Sequence, residues 1–224
     1  MGKSIFAVLL MAISFSSFSQ RKQFDNDYVV FFCGDTLHGQ IQKASNILLS
    51  QGIKFKENCK SDSVISYAPY DVTEFCISDK QKKYRSVNFE SRREGNKETI
   101  RRFGELLFSD QIDLYKLYLS DDEINYTHKS RKKNFAYVMQ VDTVFYTLSQ
   151  YEIVRQNQES AWFGKQEFKN TRTYSMLKKE YIGVLNYVFN DCPKINRSIA
   201  KVNFYDSDII GIIKKYIECK KSKK

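Results

Sequence analysis

The chain has 224 residues, of which 36 are Lys or Arg and 26 are Asp or Glu, for a formal net charge of +10. Hydrophobic residues make up 42% of it, with 15 Tyr and 17 Phe against nine Gly and two Pro. That composition gives apolar mass for a core and excludes a low-complexity or collagen-like polymer.

The N-terminus opens with the single charge of Lys3, then an apolar run densest over 5–13, then Ser14, Ser16, Ser17 and Ser19. Ser17 and Ser19 occupy the small-residue positions before a cut at Gln20, so residues 1–19 are predicted to be a cleavable secretory signal peptide. The run falls well short of the roughly 18 residues a spanning helix needs. No Cys follows the cut site, which argues against a lipid anchor. The remainder, 20–224, reads as a single exported α+β domain, β-rich over about 27–150 and helical over about 175–220. The expected location is the periplasm, the outer envelope or the exterior. Its cysteines, Cys33, Cys59, Cys76, Cys192 and Cys219, would meet an oxidising compartment where disulfides form. Their odd number leaves at least one free or bonded to another molecule. No pair has C-x-x-C spacing and only two His are present, so zinc is not expected.

Residues 28–32, Tyr-Val-Val-Phe-Phe, form a short continuous apolar run, as in a strand buried on both faces. Gly34-Asp35-Thr36 supplies a turn, and Leu37, Gly39 and Ile41 then alternate with polar residues, completing a hairpin. Ile53 and Phe55 alternate with Lys54 and Lys56, and 64–67, 74–77 and 84–89 are further short strands between turn signals. Such spacing predicts an antiparallel sheet, a sandwich or a partly closed barrel. Ile100, Phe103, Leu106 and Leu107 suggest a short helix over 99–108. Residues 112–119 look β-like, and 137–141 with 144–148 read as a hairpin turning at Asp142-Thr143. The polar stretch 156–173 reads as a loop interrupted by Ala161-Trp162-Phe163, where Trp162 is a candidate for an exposed binding face.

Leu177, Tyr181, Val184, Leu185, Val188 and Cys192 fall on one helical face, which predicts a helix over 175–192 stopped by Pro193. A second helix is expected to start at Asp206 or Ser207, both N-cap types, with Ile209, Ile210, Ile213, Tyr216 and Ile217 as its apolar stripe. Its lysine-rich end suits a helix C-terminus. Cys192 and Cys219 would each end one helix, so a disulfide clipping the pair is expected.

Two patches are similar to a known family. Gly34-Asp35-Thr36-Leu37-His38-Gly39-Gln40-Ile41 resembles the G-D-T-x-x-G-x-I hairpin of an uncharacterised family of exported Gram-negative envelope proteins. Tyr181-Ile182-Gly183-Val184-Leu185-Asn186-Tyr187, with Asp191-Cys192-Pro193, resembles that family's C-terminal helix. His38 stands where the family usually has a basic residue. The resemblance implies an envelope location and a β-then-α layout, and carries over no catalytic residue.

Chemistry is sparse in the sequence. His38 lies on the polar side of a strand and His128 in a basic loop, so both read as solvent-facing. Cys33 and His38 flank one turn, but Cys33 ends an apolar strand, where a buried thiol is inert. No G-x-S-x-G, H-E-x-x-H or P-loop motif appears, and no cofactor is implied. Asp35, Asp71 and Asp142 fit turn roles. Positive charge clusters at Lys80, Lys82, Lys83 and Arg85; at Arg92, Arg93, Arg101 and Arg102; at Lys129, Arg131, Lys132 and Lys133; and in the C-terminal lysines. The candidate anion-binding residues are Lys82, Lys83, Arg85, Arg101, Arg102, Arg131, Lys132 and Lys133, facing an anionic envelope surface, an acidic glycan or another envelope protein. Export argues against nucleic acid. The leading expectation is a non-enzymatic envelope protein with a binding or structural role, ahead of an electrostatic binder of an anionic surface and of an enzyme of unrecognised class.

Overall fold

The computed structural model describes residues 27–57, 63–93, 96–120, 123, 134–163 and 166–222; of 92, 93, 96, 97, 152–163 and 166–175 it describes the backbone only. The predicted signal segment, Cys59, His128, Lys129, Arg131, Lys132, Lys133, Lys223 and Lys224 lie outside the described residues.

Two hairpin-connected runs of strands share one antiparallel sheet. The first comprises β1 (Asp27–Phe31), β2 (Thr36–Ile41), β3 (Ile53–Lys56) and β4 (Ile65–Tyr67), with a short helix α1 (Asn46–Gln51) between β2 and β3. The second comprises β5 (Val72–Ile77), β6 (Lys82–Arg93), β7 (Asn96–Ser109), β8 (Ile112–Tyr118), β9 (Phe135–Val141) and β10 (Val144–Leu148). Their order is β4-β3-β2-β1-β5-β6-β7-β8-β9-β10. A separate two-stranded ribbon follows, β11 (Gln150–Phe163) with β12 (Gln166–Lys179), and then α2 (Glu180–Val188), α3 (Asn196–Ile199) and α4 (Asp206–Lys221). The class is α+β, as expected; the sheet is open and not closed into a barrel.

It does curl. Tyr67 at the end of β4 reaches Val72 at the start of β5 through a turn closed by the Asp71 N–H on the Ala68 carbonyl, 2.9 Å. Five backbone steps span at most about 18 Å, whereas four interstrand gaps in a flat sheet need about 19 Å. The β1–β4 end therefore folds over, bringing Val29, Ile41, Leu49, Phe55, Phe75 and Tyr84 into one core. The other end bends the opposite way: the Glu90 N–H of β6 donates to Thr147 Oγ1 of β10 at 3.0 Å, across three intervening strands. Gly39, within the hairpin motif, makes the first curl feasible. A Cβ there would lie 2.2 Å from the Lys56 carbonyl oxygen and 2.6 Å from the Phe55 ring.

The helices cover the β8–β10 end. Phe204, just before α4, sits among Phe135 (centroids 5.6 Å), Tyr137 (4.9 Å) and Tyr181 (4.9 Å). The expected bond between Cys192 and Cys219 is present, with Cα atoms 6.5 Å apart across 27 residues of sequence. Closing such a loop contributes on the order of 3–4 kcal/mol.

Four expectations are corrected. Residues 99–108 are strand, not helix: Ile100 and Leu106 pack on one face of β7 and Phe103 on the other, and a bulge falls between Leu106 and Phe108. Burial on both faces erased the alternation, and the gaps mimicked helical spacing. Residues 156–173 are not a loop but most of β11 and β12, whose backbone pairing needs no apolar alternation. Residues 175–179 complete β12, so the helix starts only at Glu180 and ends at Val188, and Pro193 opens a 3₁₀ turn instead. β1 is not buried on both faces: Val29 alone is buried in it, and Phe32 beyond it is 53% exposed. The second helix is where the sequence places it. Asp206 and Asp208 fall in its first turn after a Tyr205 cap, with Lys220 and Lys221 in its last.

Candidate functional site

The five described candidate cations stand on β6 and β7, but the strand pleat deals them to opposite faces. Arg85, Lys83 and Arg102 share the face of Val87, and Lys82 and Arg101 share that of Tyr84. Four of them meet carboxylates. Arg85 spans Glu74 (Nε to Oε2, 2.8 Å) and Asp113 (Nη1 to Oδ2, 3.0 Å), and Tyr28 donates its hydroxyl to the same Glu74 at 2.9 Å. The Glu74 hydrogen bond holds the guanidinium above its usual pKa. Lys83 adds a looser contact with Glu74 at 3.8 Å. Tyr115 donates to Asp113 at 3.0 Å. Its strand approaches so closely that a Cβ on Gly104, the residue opposite Arg85, would lie 2.8 Å from Tyr115 Cβ. Burial raises the Tyr115 phenol to about 12.

Arg102 pairs with the buried Glu123, which also accepts from the Ser120 N–H and hydroxyl, each at 3.0 Å. On the opposite face Lys82 pairs with Glu105 at 2.7 Å, and Tyr118 donates to the same carboxylate at 3.1 Å. Next to it Lys116 contacts both oxygens of Asp206 at 3.0 Å, and the Tyr137 hydroxyl donates to Asp206 as well. Burial would raise the Asp206 carboxyl, but hydrogen bonds from Tyr137 and Lys116 and the Lys116 charge outweigh it, and the net shift is downward. Burial, first, and neighbouring carboxylates push the phenols of Tyr84, Tyr118 and Tyr137 far up. These phenols stay neutral at physiological pH, and those of Tyr118 and Tyr137 act as donors to carboxylates, not as bases or nucleophiles. The Tyr84 hydroxyl is buried with no hydrogen-bond partner among the described residues.

Arg101 differs from the other four. It reaches Asn88 Oδ1 at 3.4 Å and stands 5.4 Å from the ring centroids of both Phe32 and Tyr70, the latter 64% exposed. Such a stack keeps the charge accessible while its plane is held. Cys33 is exposed rather than buried, correcting the inert-thiol expectation, and its thiol donates to Asp35 Oδ2 at 3.3 Å. His38 lies across the ladder from Tyr28, ring centroids 6.0 Å apart. Among the described residues no group of three or more His, Cys, Asp or Glu is placed to hold a metal ion, and no helix is long and apolar enough to cross a membrane.

One groove of 550 Å³ opens between α1 and the β3–β4 edge, with Leu48, Ile53 and Tyr67 as apolar wall and Lys43, Lys54 and Asp71 at its rim. Sequence reading passed over it because α1 was not recognised; its signal was Ser45, whose hydroxyl caps the Leu48 N–H at 3.3 Å. The acidic partners of the cations, Glu74, Glu105, Asp113, Glu123 and Asp206, were also missed, since each becomes a partner only through strand register or helix docking.

The largest unpaired feature is the ribbon. Each strand runs 14 residues, about 48 Å, and among the described residues it pairs with no strand but its mate. At its base Tyr151 and Ser149 donate to Glu180, at 2.7 and 3.0 Å. Register puts Tyr151, Ile153, Ala161 and Phe163 of β11 on one face with Phe168, Tyr174 and Met176 of β12. Met176, at the base, is 49% exposed. The opposite face carries mainly Gln, Thr, Ser and charged residues, together with Val154, Trp162 and Leu177. The apolar residues of the first face gather at the base and at the tip, and Arg155, Asn157, Glu159, Asn170 and Arg172 make its middle polar. No family model, curated protein or solved structure matches this chain.

Proposed function

We propose that this chain is an exported envelope protein with a non-enzymatic binding or structural role, and that its working surface is the β11–β12 ribbon. The observation that carries this reading is a ribbon of two 14-residue strands with no other strand beside them among the described residues. An isolated two-stranded ribbon is marginal in water and gains stability from further strands or a packed face. The secretory character of residues 1–19 and the family resemblance of the hairpin and α2 support the envelope location. The closed ion pairs of Arg85, Arg102, Lys82 and Lys116 suit a scaffold better than a reacting centre. Amine cross-linking in intact cells tests the reading. A discrete cross-linked species should form with the native protein and vanish when 153–175 are replaced by a two-residue turn. The same species in both strains, or none in either, defeats it.

A second reading is electrostatic attachment to an anionic envelope surface or glycan, favoured by Arg101 on its two exposed rings and by the basic cluster Arg131, Lys132 and Lys133. Its signature is binding that weakens steeply with salt, because exposed charges are screened within about 8–10 Å.

A further inference from the structure

We propose that the partner of the ribbon is a second copy of this chain, paired antiparallel along β11 about a two-fold axis at Asn157. This rests on the reading of the ribbon as the working surface and names what covers it.

The two edges of the ribbon are unequal. β12 carries Lys169, Arg172, Lys178 and Lys179 against Glu167, and a lysine-rich edge repels added strands. Pairing β12 with its own copy would bring together two strands that each carry three excess positive charges. β11 carries only Arg155 between Glu152 and Glu159, so its edge lacks that protection.

A two-fold axis perpendicular to the sheet places one residue of β11 opposite itself, and its neighbours opposite each other in mirrored order. Only a centre at Asn157 sets Arg155 opposite a carboxylate, Glu159 of the second copy, and by symmetry it does so twice. The same centre sets Tyr151 opposite Phe163 and Ile153 opposite Ala161. All but one of the 14 residues of β11 then find a partner. Odd positions meet odd positions, so the faces that carry Tyr151, Ile153, Ala161 and Phe163 join into one face of a four-stranded sheet, with the two Arg155–Glu159 pairs at its middle. At the axis itself a charged residue would meet its own charge. Asn is neutral and both donates and accepts, so it tolerates its own copy.

Charge reversal decides the matter. Sedimentation of the purified protein should show a dimer. Arg155→Glu and Glu159→Arg should each weaken it about tenfold or more, since two opposite-charge pairs become like-charge pairs. The double variant Arg155→Glu with Glu159→Arg should restore it. An equimolar mixture of the two single variants should form a mixed dimer, because each then supplies the charge the other lacks. In a Cys33→Ser background, Asn157→Cys should oxidise to a covalent dimer through that position. A monomer at all concentrations, or a dimer indifferent to these charges, overturns the inference. Trp162 is the only Trp, so its emission reports on the distal ribbon. A monomer whose emission shifts to the blue on phosphatidylglycerol vesicles would replace the second copy with a lipid surface. An in-cell cross-linked species of mass other than twice the chain would overturn self-pairing and leave the ribbon as the binding surface.

Discussion

The sheet body and the ribbon are built from similar β-hairpins, but they settle their surfaces differently. In the body, the cations of β6 and β7 meet acids from β5, β7, β8 and the turn at Glu123, and aromatic rings from strands and helices interlock around Phe204. In the ribbon, the register supplies only its own mate, and among the described residues no other strand lies beside it. The difference separates what holds the fold from what the fold presents. Long-range partners give the body its stability; the ribbon's backbone hydrogen bonds are local, and its remaining bonding capacity points outward.

The widest gap between the two regions is expected at Phe204. It is buried among three rings, and Phe204→Ala should cost about 3–5 kcal/mol through lost burial and an unfilled cavity. Urea unfolding of the variant reads this directly. A loss below about 1 kcal/mol would mean that the helices repack freely, and the body would lose its claim to be the tightly specified region.

A smaller effect follows from the neutral phenols. Tyr84, Tyr118 and Tyr137 have folded pKa values raised by burial above the ordinary value near 10. A raised folded value means that the stabilisation is complete below the unfolded pKa and is lost as pH climbs through the range between the two. The body should therefore weaken above about pH 10, with a loss of up to about 1.4 kcal/mol per pH unit for each such phenol. Tyr137→Phe removes one of them, together with its hydrogen bond to Asp206. Its alkaline limb, measured by urea unfolding from about pH 9 to 12, should be shallower than the native one by up to that amount. An unchanged slope would show that Tyr137 ionises as easily folded as unfolded.

Much of the body was legible in the sequence. The turn at Gly34-Asp35-Thr36, the hairpin at Asp142-Thr143, β3, β10 and α4 all carry local signals: turn residues, alternation or an apolar stripe with charged ends. The Cys192–Cys219 bond was expected from two helix ends, and it forms although α2 stops at Val188 and Cys192 lies beyond it. β7 was misread because two covered faces erase the period that marks a strand. The ribbon was misread for the opposite reason: its polar residues look like a loop, and the register that sorts them into two faces exists only once β11 and β12 are paired. The acids that neutralise Arg85 and Arg102 lie 11, 28 and 21 residues away in sequence, and no spacing rule links them.

The smallest effect on global stability, and the sharpest test of the contrast, belongs to the ribbon. Tyr174 sits opposite Arg155 in the register. Tyr174→Ser should shift global unfolding by no more than about 0.5 kcal/mol, as for a position outside the cooperative core. In native-state hydrogen exchange the amides of β11 and β12 should open by local fraying, well below the free energy that governs β8 and β9. The substitution should speed ribbon exchange several-fold and leave the body amides untouched. If β11 faces a second copy, dilution should have the same selective effect, since association protects only the strands that join. Ribbon amides that exchange with the body's own free energy, in native protein and variant alike, would instead make the ribbon part of the core's cooperative unit, and the division between scaffold and presented surface would fall.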